Sequence, residues 1–230
     1  LDPQNWVVSG SGTAPQEWPV YGFQGAPTVS NSTVLNTTNI EVILINDQTP
    51  DNSAVISEQF IKENGLDQRP VIALLPGSRK QEILKKLPVM LEVSKAFTDY
   101  QFIVAKAPGL DASFYDELLQ PFSNVSYVNN QTYLLLQQST AALVTSGTAT
   151  LETALFAVPE VVCYKGNEIS YQIAKRLVNI KYISLVNLIM DQEVVRELIQ
   201  HEMNVSNLGN ELTNILPGSS KREEQLQHYQ

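Results

Sequence analysis

The chain has 230 residues, of which 43% are hydrophobic, and a formal net charge of −9. This size and composition fit one or two packed domains and exclude a disordered tail or a fibrous repeat. No apolar run approaches the roughly 18–20 residues of a membrane-spanning helix, and the N-terminus lacks the charged-then-apolar layout of a secretory signal. The single cysteine, Cys163, excludes an internal disulfide framework, and the only histidines, His201 and His228, are far apart. We therefore expect no metal site.

The acidic charge is unevenly distributed. Residues 1–61 contain six acids and no base, whereas the remaining 169 residues carry all 15 bases and 18 of the 24 acids. The larger part is close to neutral, so a local phosphate site is compatible with the sequence. The composition shows no broad footprint for nucleic acid, and we expect no nucleic-acid partner.

The N-terminal third reads as irregular and β-rich. Residues 1–39 are rich in Gly, Pro, Ser, Thr and Asn, which makes helix improbable. Residues 40–45 are β-branched and predict one strand, and residues 53–64 predict a short helix. We assign residues 1–60 to an N-terminal segment in which we find no chemical motif.

From Pro70 onward, short apolar runs alternate with amphipathic stretches, the pattern of consecutive βα units. The predicted strands are 71–75, 101–105, 125–128, 141–144 and 161–164, and the predicted helices are 80–97, 111–120, 132–138, 148–158 and 170–178. This alternation predicts an α/β fold with a Rossmann-like parallel sheet covered by helices on both faces. We place this domain at residues 61–220 and a polar C-terminal tail at 221–230.

Ligands bind such sheets outside the carboxyl ends of the strands, and the first candidate there is Pro76-Gly77-Ser78-Arg79. Gly77 allows a ligand to approach the backbone closely, Ser78 can cap the following helix, and Arg79 offers a guanidinium suited to phosphate. The alternative is a plain turn with a capped helix and a solvated arginine. The spacing alone leaves both interpretations open.

The second candidate follows the strand that ends at Val144. Ser146, Gly147 and Thr148 can present backbone N–H groups and hydroxyls to a diphosphate. Glu152, one helical turn further on, can accept hydrogen bonds from ribose hydroxyls. It can equally be an acid that complements the helix dipole.

Two further polar residues occupy comparable positions. Tyr164 ends a predicted strand and can reach a nucleobase or a sugar phosphate. Asn187 is polar within the apolar run 183–190, and either belongs to the site, caps a helix or satisfies nearby backbone groups.

These motifs together resemble lipid-A-disaccharide synthase, a GT-B glycosyltransferase, in order and spacing. The resemblance covers about residues 60–220 and corresponds to the C-terminal, nucleotide-sugar-binding half of such enzymes. It rests on 74–79 (LLPGSR), 146–152 (SGTATLE), 174–178 (AKRLV), 182–185 (YISL), Asn187 and 197–200 (ELIQ).

The resemblance implies transfer of an acylated glucosamine from UDP to an acylated glucosamine 1-phosphate, with no metal cofactor. It implies that Arg79 stabilises the developing UDP charge and that Gly77, Ser78, Ser146, Gly147 and Thr148 hold phosphate. Glu152 would hold the ribose, and Tyr164 and Asn187 would belong to the donor site. The enzyme would be cytoplasmic and peripheral on the inner face of the bacterial inner membrane, with the basic-apolar stretch 173–182 as a weak candidate for contact with that surface.

The sequence also departs from the family. Residues 1–60 contain nothing like the family's acceptor domain, and Val186 and Arg196 stand where proline is expected. We therefore expect this chain to be a donor-binding half that does not synthesise disaccharide alone. The alternatives are a non-catalytic UDP-sugar-binding module and another GT-B enzyme, such as a UDP-N-acetylglucosamine epimerase.

Overall fold

The computed structural model describes residues 53–166 and 181–230. The predicted strand 40–45 and the predicted helix 170–178 lie outside these residues. Six strands alternate with helices along the described chain. The strands are β1 (Val71–Leu75), β2 (Gln101–Lys106), β3 (Val125–Asn129), β4 (Ser139–Thr145), β5 (Glu160–Tyr164) and β6 (Arg196–Ile199). The helices are α1 (Ser53–Glu63), α2 (Lys80–Ser94), α3 (Ala112–Leu119), α4 (Thr132–Gln137), α5 (Thr148–Leu155), α6 (Leu185–Met190), α7 (Val205–Asn214) and α8 (Ser220–His228).

All strand pairs are parallel, and the six strands lie in the order β3-β2-β1-β4-β5-β6. The chain therefore builds the sheet outward in one direction from β1 to β3, and in the other direction from β4 to β6. This is the Rossmann order, and it confirms the predicted fold class.

The core lies on both faces of the sheet because successive strand side chains point to opposite sides. Ile72 and Leu74 belong to the cluster beneath α2 and α7, whereas Ala73 packs on the opposite face with Phe60 of α1 and Leu135 of α4. All five residues of β1 are buried, as its continuous apolar run predicts for a central parallel strand.

The polar sequence suggested a tail at residues 221–230, but these residues do not form one. They lie largely in α8, where the Gln225 side chain is buried. Its Oε1 accepts a hydrogen bond from the Glu160 N–H at 2.6 Å, and its Nε2 donates to the Glu160 and Val194 carbonyls. One buried amide thus joins the helix to the amino ends of β5 and β6. A hydropathy pattern misses this because the buried residue is polar.

Within the described residues, no helix combines the length and the apolar character needed to cross a bilayer.

Candidate functional site

The strand order reverses between β1 and β4, and in open α/β sheets such a reversal leaves a crevice at the carboxyl ends of the two strands. These strands are neighbours, with Leu75 opposite Val144 in the register. The segments that follow them therefore face each other across the crevice. We call residues 76–79 the Gly77 turn and residues 146–148 the Gly147 turn. Such a switch point is where open α/β sheets bind ligands.

The Gly77 turn requires glycine for two reasons. Its φ is +114°, a region that side chains disfavour. A Cβ at this position would lie 3.0 Å from Glu82 Oε2 and 3.4 Å from Lys86 Nζ. The turn is therefore packed directly against α2.

The amino end of α2 carries Arg79 above the turn. The helix begins at Lys80 with Arg79 as its N-cap residue, and the Arg79 side chain makes no capping hydrogen bond. The prediction that Ser78 caps this helix is therefore wrong, because Ser78 precedes the cap position and is exposed. Arg79 is 81% exposed and contacts Glu82 at 2.9 Å. Its guanidinium is available to a ligand in the crevice.

The Gly147 turn also has a left-handed backbone, with φ +144° at Gly147, the N-cap residue of α5. Glycine has no side chain to cap the first N–H groups of the helix, which favours an anion at this end. Ser146 donates its hydroxyl to the Ile183 carbonyl at 2.7 Å, whereas Thr148 is exposed. The hydroxyl of Ser146 therefore anchors the chain near residue 183.

Glu152 lies one turn along α5 and is partly buried. Burial raises the pKa of this carboxyl, and a hydrogen bond from Thr148 opposes that rise. The pKa of Tyr133 on α4 is also raised, by burial and then by the nearby Glu152 charge.

Tyr164 ends β5 at the same carboxyl edge of the sheet. Its hydroxyl lies over the following loop, since Tyr164 Oη is only 2.7 Å from the position that a Cβ on Gly166 would occupy. The Gly166 N–H donates to Gln200 Oε1 at 2.8 Å. Tyr164 is half-buried and lines this edge, two strands away from β1.

The Asn187 side chain is held by hydrogen bonds within the protein. It is fully buried inside α6. Its Nδ2 donates to the Val195 carbonyl at 2.8 Å and to Glu197 Oε1 at 2.9 Å. Its Oδ1 accepts from the N–H groups of Val194 and Val195. An amide can make four hydrogen bonds, and all four are used within the protein. The prediction that satisfying nearby backbone explains Asn187 is confirmed.

Sequence reasoning missed Lys86. This α2 side chain is only 4% exposed, and its ammonium donates to Thr145 Oγ1 at the end of β4. A lysine in an amphipathic helix normally indicates a solvated position, so the pattern carried no signal. Burial lowers the pKa of the ammonium, and Glu82, 3.9 Å away, partly opposes that shift.

A separate surface cleft lies at the opposite edge of the sheet. Arg69, Lys95 and Asn124 line it, close to the amino ends of β1 to β3. Arg69 already pairs with Asp67 at 2.7 Å, and Lys95 with Glu92 at 2.8 Å.

The sheet order defines the described part of the chain as a Rossmann-like domain with its switch point between β1 and β4. Solved structures with this fold include the glycosyltransferase WaaG, involved in lipopolysaccharide biosynthesis, with a TM-score of 0.52 and 15% identity over 79% of this chain and 46% of that one. The UDP-GlcNAc 2-epimerase from Neisseria meningitidis gives a TM-score of 0.51 and 17% identity, over 75% of this chain and 44% of that one. The predicted half of a GT-B fold is confirmed.

The sequence comparisons identify the family. The lipid-A-disaccharide synthetase family model matches residues 45–230. The lipid-A-disaccharide synthase of Syntrophus aciditrophicus is 37% identical, over 68% of this chain and 43% of that protein. The corresponding Psychromonas ingrahamii protein is 41% identical, over 60% of this chain and 38% of that protein. The chain belongs to the lipid-A-disaccharide synthase family, as the sequence motifs predicted, and it spans less than half the length of these relatives.

Proposed function

We propose that this chain is the donor-binding half of a lipid-A-disaccharide synthase and binds a UDP-linked acylated glucosamine. The full enzyme would transfer this sugar to an acylated glucosamine 1-phosphate. The observation that carries the proposal is the meeting of the Gly77 and Gly147 turns across the switch point, with the exposed Arg79 guanidinium beside them.

Each turn would contribute to binding the diphosphate. Backbone N–H groups near Gly77, Ser78 and Gly147 would donate to phosphate oxygens, together with the Thr148 hydroxyl. Ser146 would act mainly by holding the turn in place, since its hydroxyl bonds to the Ile183 carbonyl.

Glu152 and Tyr164 would contact other parts of the donor. The Glu152 carboxylate would accept hydrogen bonds from ribose hydroxyls, and Tyr164 would pack against the sugar or the base. Asn187 is left out of the donor contacts because its hydrogen-bonding groups are already engaged.

In the proposed reaction, an acceptor hydroxyl oxygen attacks the anomeric carbon of the donor sugar. The bond between that carbon and the diphosphate oxygen breaks, and the hydroxyl proton passes to a base outside the donor site. Negative charge then grows on the departing UDP. Arg79 and the helix amino ends would stabilise this charge more strongly in the transition state than in the bound donor, which lowers the barrier.

Acylated substrates would bring the enzyme to the inner face of the bacterial inner membrane, as a peripheral cytoplasmic protein. Leu188, Ile189 and Met190 of α6 are exposed apolar side chains that favour such contact. Flotation with vesicles of anionic phospholipid tests this part: a chain that stays at the bottom of the gradient would contradict it.

Calorimetric titration of UDP into the chain tests donor binding. We expect saturable binding that weakens by roughly 10- to 100-fold in Arg79→Ala, because hydrogen bonds to charged groups contribute about 1.5–3 kcal/mol. Arg196→Ala is the matched control, since Arg196 is exposed at the amino end of β6. Failure of the folded chain to bind UDP, or equal losses in both variants, would contradict the proposal.

A further inference from the structure

The Lys86 ammonium is buried beneath the Gly77 turn. Its Nζ would lie 3.4 Å from a Cβ built on Gly77, and it donates to Thr145 Oγ1 at the carboxyl end of β4. The ammonium therefore lies where β1 and β4 end, under the floor of the crevice. Burying a charged group costs free energy, which an uncharged side chain at position 86 would avoid.

The charges around this ammonium do not balance within the described part of the chain. Glu82 is the nearby acid, and it is shared between Arg79 at 2.9 Å and Lys86 at 3.9 Å. Lys80 is turned towards the Phe114 ring, 5.2 Å from its centroid. Two cations thus share one carboxylate at the turn. The excess positive charge complements an anion in the crevice.

We propose that Lys86 is a positioning residue for the donor diphosphate, supplying a buried positive charge beneath the Gly77 turn. The proposal rests on the proposed function of the crevice. The cation acts through the turn that covers it and needs no direct contact with the ligand. Because it is shielded from water, its field is screened less than that of an exposed lysine.

The same position accounts for the glycine at residue 77. A side chain there would press on both Glu82 and Lys86 and would also place atoms between the cation and the ligand. Glycine therefore shortens the distance over which the buried charge acts. This requirement adds to the left-handed φ that already favours glycine.

The decisive variant is Lys86→Met, which keeps most of the side-chain volume and removes the charge. Lys85→Met is the matched control, because Lys85 is the exposed neighbour on the same helix. UDP and uridine are titrated into each folded protein by calorimetry or NMR. We expect Lys86→Met to weaken UDP binding by about 10- to 100-fold and leave uridine binding unchanged, whereas Lys85→Met changes neither.

Thermal unfolding separates this role from a structural one. Replacing a buried charge by an apolar side chain is often neutral or stabilising, so we expect the melting temperature of Lys86→Met to be equal to or above that of the wild type. Lys86→Gln provides a second uncharged variant if the methionine protein does not fold.

The pH dependence of the wild type gives an independent readout. Burial lowers the pKa of Lys86, so the ammonium loses its proton at a lower pH than an exposed lysine does. The facing groups are Glu82 on α2, Arg79 at its amino end and the Cys163 thiol on β5, whose pKa burial raises to about 12. We expect UDP affinity relative to uridine affinity to fall in the wild type at a lower pH than that at which an exposed lysine loses its proton, and this fall to vanish in Lys86→Met.

The outcomes separate the two proposals. A wild-type chain that does not bind UDP overturns the proposed function and this inference with it. Wild-type UDP binding that is unchanged in Lys86→Met leaves the proposed function intact and overturns the inference. Equal weakening of UDP and uridine also overturns it, because it indicates general damage to the fold.

Discussion

Replacing Asn187 by alanine distinguishes a structural amide from a donor contact. The substitution removes four hydrogen bonds of 2.8–2.9 Å. Each is worth about 0.5–1.5 kcal/mol net, and more where a buried partner stays unpaired. Val195 is fully buried and loses the Asn187 partner of both its N–H and its carbonyl. We expect the free energy of unfolding to fall by about 3–4 kcal/mol.

This loss is large enough to measure by thermal or chemical unfolding. For a domain of this size, each kcal/mol lowers the melting temperature by about 2–4 °C, so the expected decrease is roughly 6–16 °C. Asn210→Ala is the matched control, since Asn210 is exposed in the middle of α7. The control should unfold within about 0.5 kcal/mol of the wild type.

UDP binding is then measured well below the unfolding transition of Asn187→Ala. A structural role predicts a large loss of stability with a much smaller change in UDP affinity. Arg79→Ala should give the opposite pattern, because the Arg79 side chain is 81% exposed. Loss of UDP binding in Asn187→Ala with an unchanged unfolding transition would refute the structural interpretation.

Three other substitutions test the packing around the site and at the opposite edge of the sheet. Glu160 is fully buried, and desolvation raises the pKa of its carboxyl. Protonated Glu160 stabilises the folded protein, and this contribution is fully present below the ordinary carboxyl pKa. The contribution is lost as the pH rises through the raised pKa. In urea unfolding, Glu160→Gln should therefore gain stability relative to the wild type from pH 5 to pH 8. Gly77→Ala should lose about 1–3 kcal/mol in urea unfolding because of the φ of +114° and because the new Cβ would lie 3.0 Å from Glu82 Oε2. Gln225→Ala should speed hydrogen exchange in α8 by releasing its three buried bonds.

Controls separate the intended cause from a general effect. Gly65→Ala has a φ of +62° and nothing within 4 Å of the new Cβ, so it measures backbone strain without crowding. Gln227→Ala removes an exposed amide from the same helix as Gln225. The Glu160 prediction is contradicted if the stability difference between Glu160→Gln and the wild type stays constant with pH. The Gly77 prediction is contradicted if Gly77→Ala loses no more stability than Gly65→Ala. The Gln225 prediction is contradicted if hydrogen exchange in α8 is equally fast in Gln225→Ala and Gln227→Ala.

The order of secondary structure from β1 to β5 was predictable from the sequence, whereas β6 and the helices α6, α7 and α8 were not predicted. The apolar run at 71–75 predicted β1 with both bounds correct, because a central parallel strand is buried on both faces and has no polar position. The helix predicted at 80–97 ends earlier, at Ser94. The hydrophobic periodicity of a sequence can continue past the end of a helix, whereas the residue at which the helix ends depends on the backbone hydrogen bonds of its last turn.

The location of the candidate site was also accessible to sequence reasoning. Glycines directly after two strands predicted turns open to a ligand, and the motifs around them predicted the family, which the comparisons confirm. The carboxyl ends of parallel strands all lie at one edge of the sheet, so residues that directly follow a strand in the sequence lie at that edge. The family resemblance suggested their ligand.

Tertiary structure alone decided which polar residues are buried. Lys86 and Glu160 have side chains that composition and periodicity assign to water, yet each is almost completely enclosed. The partners of Lys86 and Asn187 come from other segments: Thr145 is 59 residues from Lys86 in sequence, and the Asn187 amide donates to Val195 and Glu197, beyond the end of α6. A local pattern cannot encode a partner that only the packing of distant segments brings within hydrogen-bonding distance.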